Sequence, residues 1–254
     1  MARKRMSVGE FAAIVQRGDL MQENGDPAGA LREYELALRE APDDPMIWNN
    51  RGVALSSLGR YDEAMGSYRK ATELRPGYWM AWFNLGKAIQ RKARDISGKK
   101  GRGMGGRMPP EKERALEEAI TIYDRALALN PAHTSTMNNK AVALRELRMN
   151  EEALLVYDEL LNIDPTYAHA WHNKGKLLEM MGLPDEADRC FEIAASLNPH
   201  IAGGRDESGP AGPGRPGRKP AMPKDRTGGP DETEKERTDL RDVEPPRRAK
   251  RKTG

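Results

Sequence analysis

The sequence predicts an all-α fold, a solenoid of five stacked helix pairs, because three residue types recur along it with one period. The recurring prolines are Pro42, Pro76, Pro131, Pro165 and Pro199. The recurring alanines are Ala30, Ala64, Ala119, Ala153 and Ala187. The recurring aromatic residues are Tyr34, Tyr68, Tyr123, Tyr157 and Phe191. Each series advances by 34, 55, 34 and 34 residues, and a fixed period of this length is typical of a solenoid.

A fourth series locates an insertion in the third repeat. It consists of Gly18, Gly52, Gly86, Ala141 and Gly175. The long step exceeds the period by 21 residues and lies between Gly86 and Ala119. We therefore predict an N-terminal basic segment at 1–10, five repeats, and a tail at 202–254. The repeats are 11–44, 45–78, 79–133 with the insertion at about 94–114, 134–167 and 168–201.

Each repeat is predicted to contain two antiparallel helices, and the recurring residues explain how they pack. A glycine such as Gly52 in the first helix allows the two backbones to approach closely. Ala64 and Ala71 lie four and three residues from Tyr68, so all three share one face of the second helix. Pro76 ends that second helix. One such unit buries too little surface to be stable, whereas five stacked units share a continuous core.

Acidic residues and prolines mark where several helices begin. Asp43-Asp44-Pro45 offers a capping carboxylate followed by a proline in the first turn. Asn150-Glu151-Glu152 and Pro184-Asp185-Glu186 place acids at the start of second helices, where the helix dipole favours negative charge.

The repeats resemble the tetratricopeptide repeat family. In the second repeat the matching residues are Trp48, Gly52, Ala64, Tyr68, Ala71 and Pro76. In the fifth they are Trp171, Gly175, Ala187, Phe191, Ala194 and Pro199. The fourth repeat departs from the pattern at Met137, Ala141 and Leu160, and the first has Ile14 where tryptophan is expected. The resemblance covers 11–201 and implies a right-handed superhelix that acts as a non-catalytic scaffold for protein partners.

The resemblance also implies that the first helices line a concave groove that binds a peptide or protein. Asn50, Asn84, Asn139 and Asn173 occupy one equivalent position in four successive repeats. Such a ladder of amides could hydrogen-bond an extended backbone, because each amide donates and accepts; asparagine is also common there because it suits the fold. The other predicted groove residues are Met80, Phe83, Lys87, Arg91, Arg145, His169, His172 and Lys176.

Composition excludes several classes of protein. Hydrophobic residues make up 37% of the chain and charged residues 32%, and no stretch approaches the roughly 20 apolar residues of a membrane helix. Cys190 is the only cysteine, so no intramolecular disulfide can form. His169 and His172 share a helix face, but the sequence fixes no third ligand beside them. We therefore predict no metal, no cofactor, no enzymatic activity and no membrane partner, and expect a cytoplasmic protein.

The insertion is predicted to contain a flexible basic loop at 97–107. Its pattern resembles arginine–glycine segments that bind RNA through charge and stacking; a tolerated surface loop is the alternative. Its cations that could contact nucleic acid are Lys99, Lys100, Arg102 and Arg107. Pro109-Pro110-Glu111 predicts that the second helix of this repeat begins early.

The tail at 202–254 is predicted to be disordered, because it lacks the apolar residues needed to offset its ordering entropy. Its terminal cluster can bind nucleic acid or an anionic surface, or can simply be a solvated tail. The cluster consists of Arg247, Arg248, Lys250, Arg251 and Lys252. We predict no capping helix after Pro199, which leaves the last repeat as an edge for weak self-association of an otherwise monomeric protein.

Two hypotheses follow. The first is a scaffold that binds a peptide or protein partner along the asparagine-lined groove. The second is a nucleic-acid-associated adaptor whose basic loop and tail bind phosphate while the repeats recruit another protein.

Overall fold

The computed structural model describes residues 6–99 and 108–204, and these residues confirm the all-α fold. They form ten α-helices and no strand. The helices are α1 Val8–Glu23, α2 Pro27–Glu40, α3 Pro45–Ser57, α4 Tyr61–Leu74, α5 Trp79–Lys99, α6 Pro110–Leu129, α7 Thr134–Glu146, α8 Asn150–Ile163, α9 Ala168–Met180 and α10 Pro184–Leu197. The chain divides into two units, Met1–Asp206 and Glu207–Gly254, and every described residue lies in the first.

The helices stack as five consecutive pairs. Each helix packs on the next along the chain, from α1 to α10. The first helices of successive repeats, α1, α3, α5, α7 and α9, also pack against one another. The second helices lie farther apart across the described ranges, and α4 reaches α6 through the side-chain ion pair of Arg69 with Glu118 at 2.9 Å. The first helices therefore form the inner layer of the solenoid and the second helices the outer layer.

Close packing of a glycine against an aromatic ring holds four of the five helix pairs together. A Cβ built at Gly52 would lie 2.6 Å from Cε1 of Tyr68, closer than any real contact. The same relationship joins Gly18 to Tyr34, Gly86 to Tyr123 and Gly175 to Phe191. The recurring alanines lie in the same interfaces, and Ala30, Ala64, Ala119 and Ala153 are fully buried. Glycine is required here because the ring occupies the space of a side chain.

Tryptophan links the second, third and fifth repeats to the repeat before each of them. The Trp48 indole nitrogen donates to the Pro42 carbonyl oxygen at 2.6 Å. The equivalent bonds run from Trp82 to Pro76 at 2.9 Å and from Trp171 to Pro165 at 2.8 Å. In the fourth repeat Met137 replaces the tryptophan and has no N–H to donate.

Four cations at one equivalent position of the first helices make ion pairs with acids on second helices. Arg17 pairs with Glu33 at 2.8 Å, Arg51 with Glu35 at 3.0 Å, Lys140 with Asp124 at 2.5 Å and Lys174 with Asp158 at 2.5 Å. In the last three pairs the acid belongs to the preceding repeat. These contacts reach solvent and so contribute modestly to the stacking of repeats.

The predicted helix starts agree with the structure. The Asp44 carboxylate accepts from the backbone N–H groups of Met46 and Ile47 at 2.8 and 3.3 Å. Helices α8 and α10 begin at Asn150 and Pro184, which places their acids in the first turn.

The third repeat differs from the prediction at one end of its insertion. The early start of its second helix is confirmed, because α6 begins at Pro110. The prediction that the loop begins at Ser97 was wrong, because α5 continues to Lys99. Other repeats end the first helix near a residue with positive φ, such as Gly59 at 73°. The equivalent residue here is Ala93, fully buried within α5, so the helix continues.

The C-terminal end of the solenoid also differs from the prediction. A 3₁₀-helix, Pro199–Gly204, follows α10 and packs against α9 and α10. The array therefore ends in a short helical turn, where the sequence analysis predicted none. Residues 1–5, 100–107 and 205–254 lie outside the described residues, and with them Lys100, Arg102, Arg107 and the cations of the C-terminal cluster.

Candidate functional site

The predicted groove residues lie on the inner layer, on α3, α5, α7 and α9. The four equivalent asparagines, Asn50, Asn84, Asn139 and Asn173, are all half-buried. Phe83, Arg145 and His172 are also half-buried. The exposed members are Met80, Lys87, Arg91, His169 and Lys176.

Two neighbouring hollows open along this layer, one at each of the first two junctions between repeats. The first hollow has a volume of about 320 Å³ and is lined by Asp19, Gln22, Glu23, Tyr34, Asn50 and Val53. The second has a volume of about 290 Å³ and is lined by Val53, Ser56, Ser57, Tyr61, Tyr68, Asn84, Lys87, Ala88 and Arg91. Val53 lines both. Asn50 in the first hollow is equivalent to Asn84 in the second.

The two hollows carry opposite charge. Asp19 and Glu23 give the first an acidic wall, and we name it the acidic hollow. Lys87 and Arg91 give the second a basic wall, and we name it the basic hollow. Burial lowers the pKa of Lys87, and the neighbouring charge of Arg91 lowers it further. An anion bound beside Lys87 and Arg91 would relieve this repulsion.

The amides of the groove form a hydrogen-bonded chain across three repeats. Asn84 Nδ2 donates to Asn49 Oδ1 at 3.0 Å, and Asn49 Nδ2 donates to Asn50 Oδ1 at 3.3 Å. Asn50 Nδ2 donates to Asp19 Oδ1 at 3.2 Å, and the Tyr34 hydroxyl donates to the same oxygen at 2.7 Å. The chain fixes the amides of Asn50 and Asn84 in one orientation. Asn84 still has a second N–H and its carbonyl oxygen for a ligand.

The amide ladder is interrupted between the third and fourth repeats. Asn173 Nδ2 donates to Asn138 Oδ1 at 3.0 Å, just as Asn84 donates to Asn49. In the third repeat, the residue equivalent to Asn49 and Asn138 is Phe83. Phe83 has no amide oxygen to accept a hydrogen bond from Asn139. Within the described ranges, the Asn139 side chain makes no hydrogen bond, and only its backbone oxygen accepts, from Gln90 Nε2 at 3.4 Å.

Aromatic rings occupy that interruption. His133 lies 4.5 Å from the Trp79 ring and 4.9 Å from the Phe83 ring, measured between centroids. Lys87 Nζ lies 5.1 Å above the Phe83 ring centroid. Burial lowers the pKa of His133, which favours the neutral imidazole. This cluster gives the middle of the groove an apolar surface flanked by a cation.

Basic residues lie again on the first helices of the fourth and fifth repeats. Arg145 lies on α7, and His169, His172 and Lys176 lie on α9. Burial lowers the pKa of His172, and the charges of Lys176, His169 and Arg145 lower it further. The groove is therefore basic from the third repeat to the fifth.

Sequence reasoning missed several residues of the groove. Asp19, Gln22, Ser56 and Ser57 line the hollows although they lie late in their first helices. Asn49, which its repeat position predicts to line the groove, is 6% exposed and links amides instead. The sequence does show that Gln22 and Ser56 are equivalent polar residues one period apart. Whether such residues line a hollow depends on how adjacent helices diverge.

Neither a metal site nor a membrane segment was found among the residues with described positions. No group of three His, Cys, Asp or Glu residues there could hold a metal ion. The helices over the same ranges include none that is long and apolar enough to cross a bilayer.

Sequence models of the tetratricopeptide repeat match residues 15–78, 57–92 and 112–168, and a second model of the same repeat matches 156–189. Together they cover more than half of the chain. The chain belongs to the tetratricopeptide repeat family. Proteins of this family act as scaffolds for protein–protein interaction, and their repeats are typically non-catalytic.

Relatives and solved structures agree with membership of the tetratricopeptide repeat family. A segment of 76 residues, 30% of this chain, is 33% identical to BBSome complex member BBS4 of Mus musculus. A segment of 53 residues, 21% of this chain, is 40% identical to the peroxisomal targeting signal receptor of Candida albicans. These segments span only 15% and 9% of the two relatives. MamA of Desulfovibrio magneticus RS-1 shares the fold with a TM-score of 0.62 at 18% identity, over 76% of this chain and 98% of the MamA chain.

Proposed function

We propose that this tetratricopeptide repeat protein is a non-catalytic scaffold that binds an extended peptide segment of a protein partner along its inner groove. The observation that carries the proposal is the pair of neighbouring hollows, each with an equivalent asparagine at its wall. Asn50 and Asn84 are held in place by the amide chain. Pre-ordered amides bind a peptide backbone at a smaller entropic cost than mobile ones.

The charges of the groove indicate the chemistry of the partner. An acidic hollow at the first repeat suits a lysine or arginine of the peptide, through Asp19 and Glu23. The basic hollow and the cations of α9 suit aspartate or glutamate over the later repeats. We therefore expect a peptide whose charge changes sign along its length, because such complementarity selects one orientation over the reverse.

Two relatives support binding of a protein ligand by repeats of this kind. One is named as the receptor of a peroxisomal targeting signal and the other as a member of the BBSome complex. From these two relatives we take only the expectation that the ligand of this chain is a segment of a protein. We further propose a cytoplasmic protein, monomeric or weakly self-associating through its last repeat, with the repeat boundaries given above.

The experiment is selection of peptides from a randomised display library on the full chain, followed by anisotropy titration of the selected peptides. The double variant Lys87→Ala with Arg91→Ala removes the charge of the basic hollow. We expect its dissociation constant to rise about tenfold or more, the scale of losing charge-assisted contacts.

The matched control is Arg39→Ala with Arg125→Ala, which removes two exposed cations from the second helices of the outer layer. This variant has the same net charge as the groove variant, so it separates local contact from long-range attraction. Equal weakening by both variants, or none by the groove variant, would contradict the proposal.

The alternative is a nucleic-acid-associated adaptor that uses the basic loop and the basic cluster of the tail. Most of its candidate contacts lie outside the described residues, and Lys99 is the last residue of α5. The cations at the base of the insertion are engaged with protein: Arg94 and Lys112 pair with Glu146 at 3.5 and 3.0 Å. The described residues thus favour the groove, and the alternative is tested separately.

A further inference from the structure

The tyrosine of the second helix in each of the first four repeats directs its hydroxyl toward the first helix, and one of these hydroxyls has no partner among the described residues. The Tyr34 hydroxyl donates to Asp19 at 2.7 Å, and the Tyr123 hydroxyl donates to Gln90 Oε1 at 3.0 Å. The Tyr68 hydroxyl lies 3.3 Å from Ser56 Oγ. Tyr157 is fully buried, yet its hydroxyl has no hydrogen-bond partner in the described part of the chain.

The cause is the residue that stands opposite Tyr157. Arg145 occupies the position of Ser56 and Gln90 in the repeats before it. Serine and glutamine can accept the proton of a tyrosine hydroxyl, whereas a guanidinium only donates. The Nη1 atom of Arg145 is itself buried and without a partner among the described residues. The proton of the Tyr157 hydroxyl thus has no acceptor on Arg145, and Arg145 Nη1 does not donate to the hydroxyl oxygen.

A second substitution in the same repeat adds to the mismatch. Ala141 stands where the first, second, third and fifth repeats have glycine. At those glycines a Cβ would lie 2.5 to 2.7 Å from the aromatic ring. The ring of Tyr157 therefore cannot approach its first helix as closely as the other rings do.

The residues of this mismatch are equivalent to residues that line the basic hollow. Ser56, Tyr61 and Tyr68 line the basic hollow, and their equivalents in the fourth repeat are Arg145, Asn150 and Tyr157. Each of these three has a buried side-chain atom without a partner within the described ranges, and in Asn150 it is Oδ1. A half-turn of that amide presents its N–H group instead.

Positive charge surrounds the same place. Asn173 and Lys176 on α9 are equivalent to Asn84 and Lys87 of the basic hollow. The charge of Arg145 acts on both Tyr157 and His172, so the guanidinium lies within range of both side chains. A carboxylate has only acceptors, and it would satisfy the hydroxyl, the guanidinium and the ammonium group together.

We propose that Arg145, Tyr157 and Lys176 form a subsite for a carboxylate group of the bound partner, at the junction of the fourth and fifth repeats. The inference rests on the proposed function, because the ligand enters through the same groove. It adds a specific chemical requirement: one carboxylate, from an acidic side chain or from a chain terminus, seated at this junction. Leaving a buried donor unpaired is costly, and the carboxylate removes that cost.

The test uses the full chain and small carboxylate probes, followed by amide and side-chain NMR. Sodium acetate is titrated against sodium chloride at equal ionic strength, with neutral acetamide as the isosteric control. We expect saturable shifts at Arg145, Tyr157 and Lys176 with acetate alone. N-acetylglycinate mimics a chain terminus and N-acetylaspartyl amide mimics an acidic side chain, so their relative affinities identify the source of the carboxylate. Equal shifts with chloride, or none with any carboxylate, would overturn the proposal.

The deciding variant is Arg145→Gln, which recreates the pairing of Gln90 with Tyr123. It gives the Tyr157 hydroxyl an acceptor and removes the charge, so we expect a higher unfolding midpoint together with at least about tenfold weaker carboxylate binding. Carboxylate binding that persists in this variant would contradict the subsite.

Two phenylalanine variants separate the subsite from a purely structural role. Tyr157→Phe removes an unpartnered hydroxyl, so its unfolding midpoint should not fall although its carboxylate binding weakens. Tyr123→Phe removes a bonded hydroxyl, so its midpoint should fall while carboxylate binding is retained. The reverse pattern would overturn the assignment.

The experiments distinguish an error in the proposed carboxylate subsite from an error in the proposed peptide-binding groove. If library peptides bind and lose affinity in the Lys87 and Arg91 double variant but not in Arg145→Gln, the groove stands and the subsite is wrong. If acetate binds at Arg145 but no peptide binds the groove, the subsite stands and the proposed function is wrong.

Discussion

Gly52 lies directly against the ring of Tyr68, so that a Cβ on Gly52 would approach Cε1 to 2.6 Å. The first and second helices of the repeat meet at this contact. Because Tyr68 is 2% exposed, its ring has little room to move aside. The contact explains why the period of the glycines equals the period of the aromatic residues.

We expect Gly52→Ala to destabilise the chain by about 1–3 kcal/mol, because the added methyl overpacks the helix pair. The control is Gly66→Ala, at an exposed position inside α4 with no atom near its Cβ direction. Alanine there should stabilise by about 0.5–1 kcal/mol through helix propensity. Urea unfolding monitored by circular dichroism measures both, and a stable Gly52→Ala variant would refute the packing argument.

The turn of the fourth repeat should be improved by glycine. Arg148 has φ 63°, whereas the equivalent residues Gly25, Gly59 and Gly182 have φ 77°, 73° and 79°. Because side chains disfavour this region, Arg148→Gly should raise the free energy of unfolding by about 1 kcal/mol. Arg125→Gly, at an exposed position inside α6, should lower it by about the same amount. A loss of stability in Arg148→Gly would contradict the prediction.

The amide ladder predicts different behaviour for two equivalent asparagines. Asn173→Ala removes the bond to Asn138 and should cost about 1 kcal/mol of folding stability. Asn139→Ala removes no side-chain bond seen in the described residues and should cost close to nothing. Both should weaken binding of library-selected peptides in anisotropy titrations. Unchanged peptide binding in both variants would show that the ladder serves the fold alone.

Stability should fall as the pH is lowered below about 6.5. Burial lowers the folded-state pKa of His133 and His172 below the usual 6.5, so the unfolded chain binds more protons in this range. The contribution of the neutral imidazoles is complete above pH 6.5 and is lost as pH falls from there through the folded-state values. Unfolding midpoints across the range measure the loss. The double variant His133→Gln with His172→Gln should flatten the profile, and an unchanged slope would argue against these two residues.

The basic loop of the insertion and the basic cluster of the tail predict an interaction with nucleic acid whose affinity falls steeply with salt. Each phosphate contact to a single strand should add about −0.7 to the slope of log K against log salt. Neutralising the cations of the insertion and the tail cluster should abolish binding, whereas Arg39→Ala with Arg125→Ala should not. A fluorescent oligonucleotide titrated at several salt concentrations measures this, and salt-independent binding would exclude the adaptor.

The period of the sequence was enough to predict most of the fold, because a repeat array is built from nearest-neighbour contacts. Gly52, Ala64 and Tyr68 recur at fixed spacing, and each makes the same contact wherever it recurs. The predicted starts of α3, α6, α8 and α10 agree with the structure, because caps and prolines act locally.

The end of α5 was predicted wrongly because the helix continues where the other repeats turn. Ala93 replaces the glycine that follows the first helix in the first, second and fifth repeats. That signal was present in the sequence, but the glycine-rich residues after it indicated a loop more strongly. The 3₁₀-helix after α10 had no comparable signal, since its stability comes from packing on α9 and α10.

The groove residues were predicted from equivalence to other repeats, and equivalence could not show their partners. The bond between Asn84 and Asn49 joins residues 35 apart, and Phe83 removes the corresponding bond at Asn139. Whether an amide faces a ligand or another amide depends on the angle between adjacent repeats, which no single repeat encodes.

The sequence by itself determined the number of repeats, the packing of each helix pair and the location of the insertion, because these depend on local spacing and on contacts between neighbours in the chain. Only the tertiary structure decided which amides are engaged, where the acidic and basic hollows lie, and that buried atoms of Tyr157 and Arg145 have no hydrogen-bond partner among the described residues. Those features arise from side chains of different helices that converge on one surface, and the cost of an unpaired buried group depends on all of them at once.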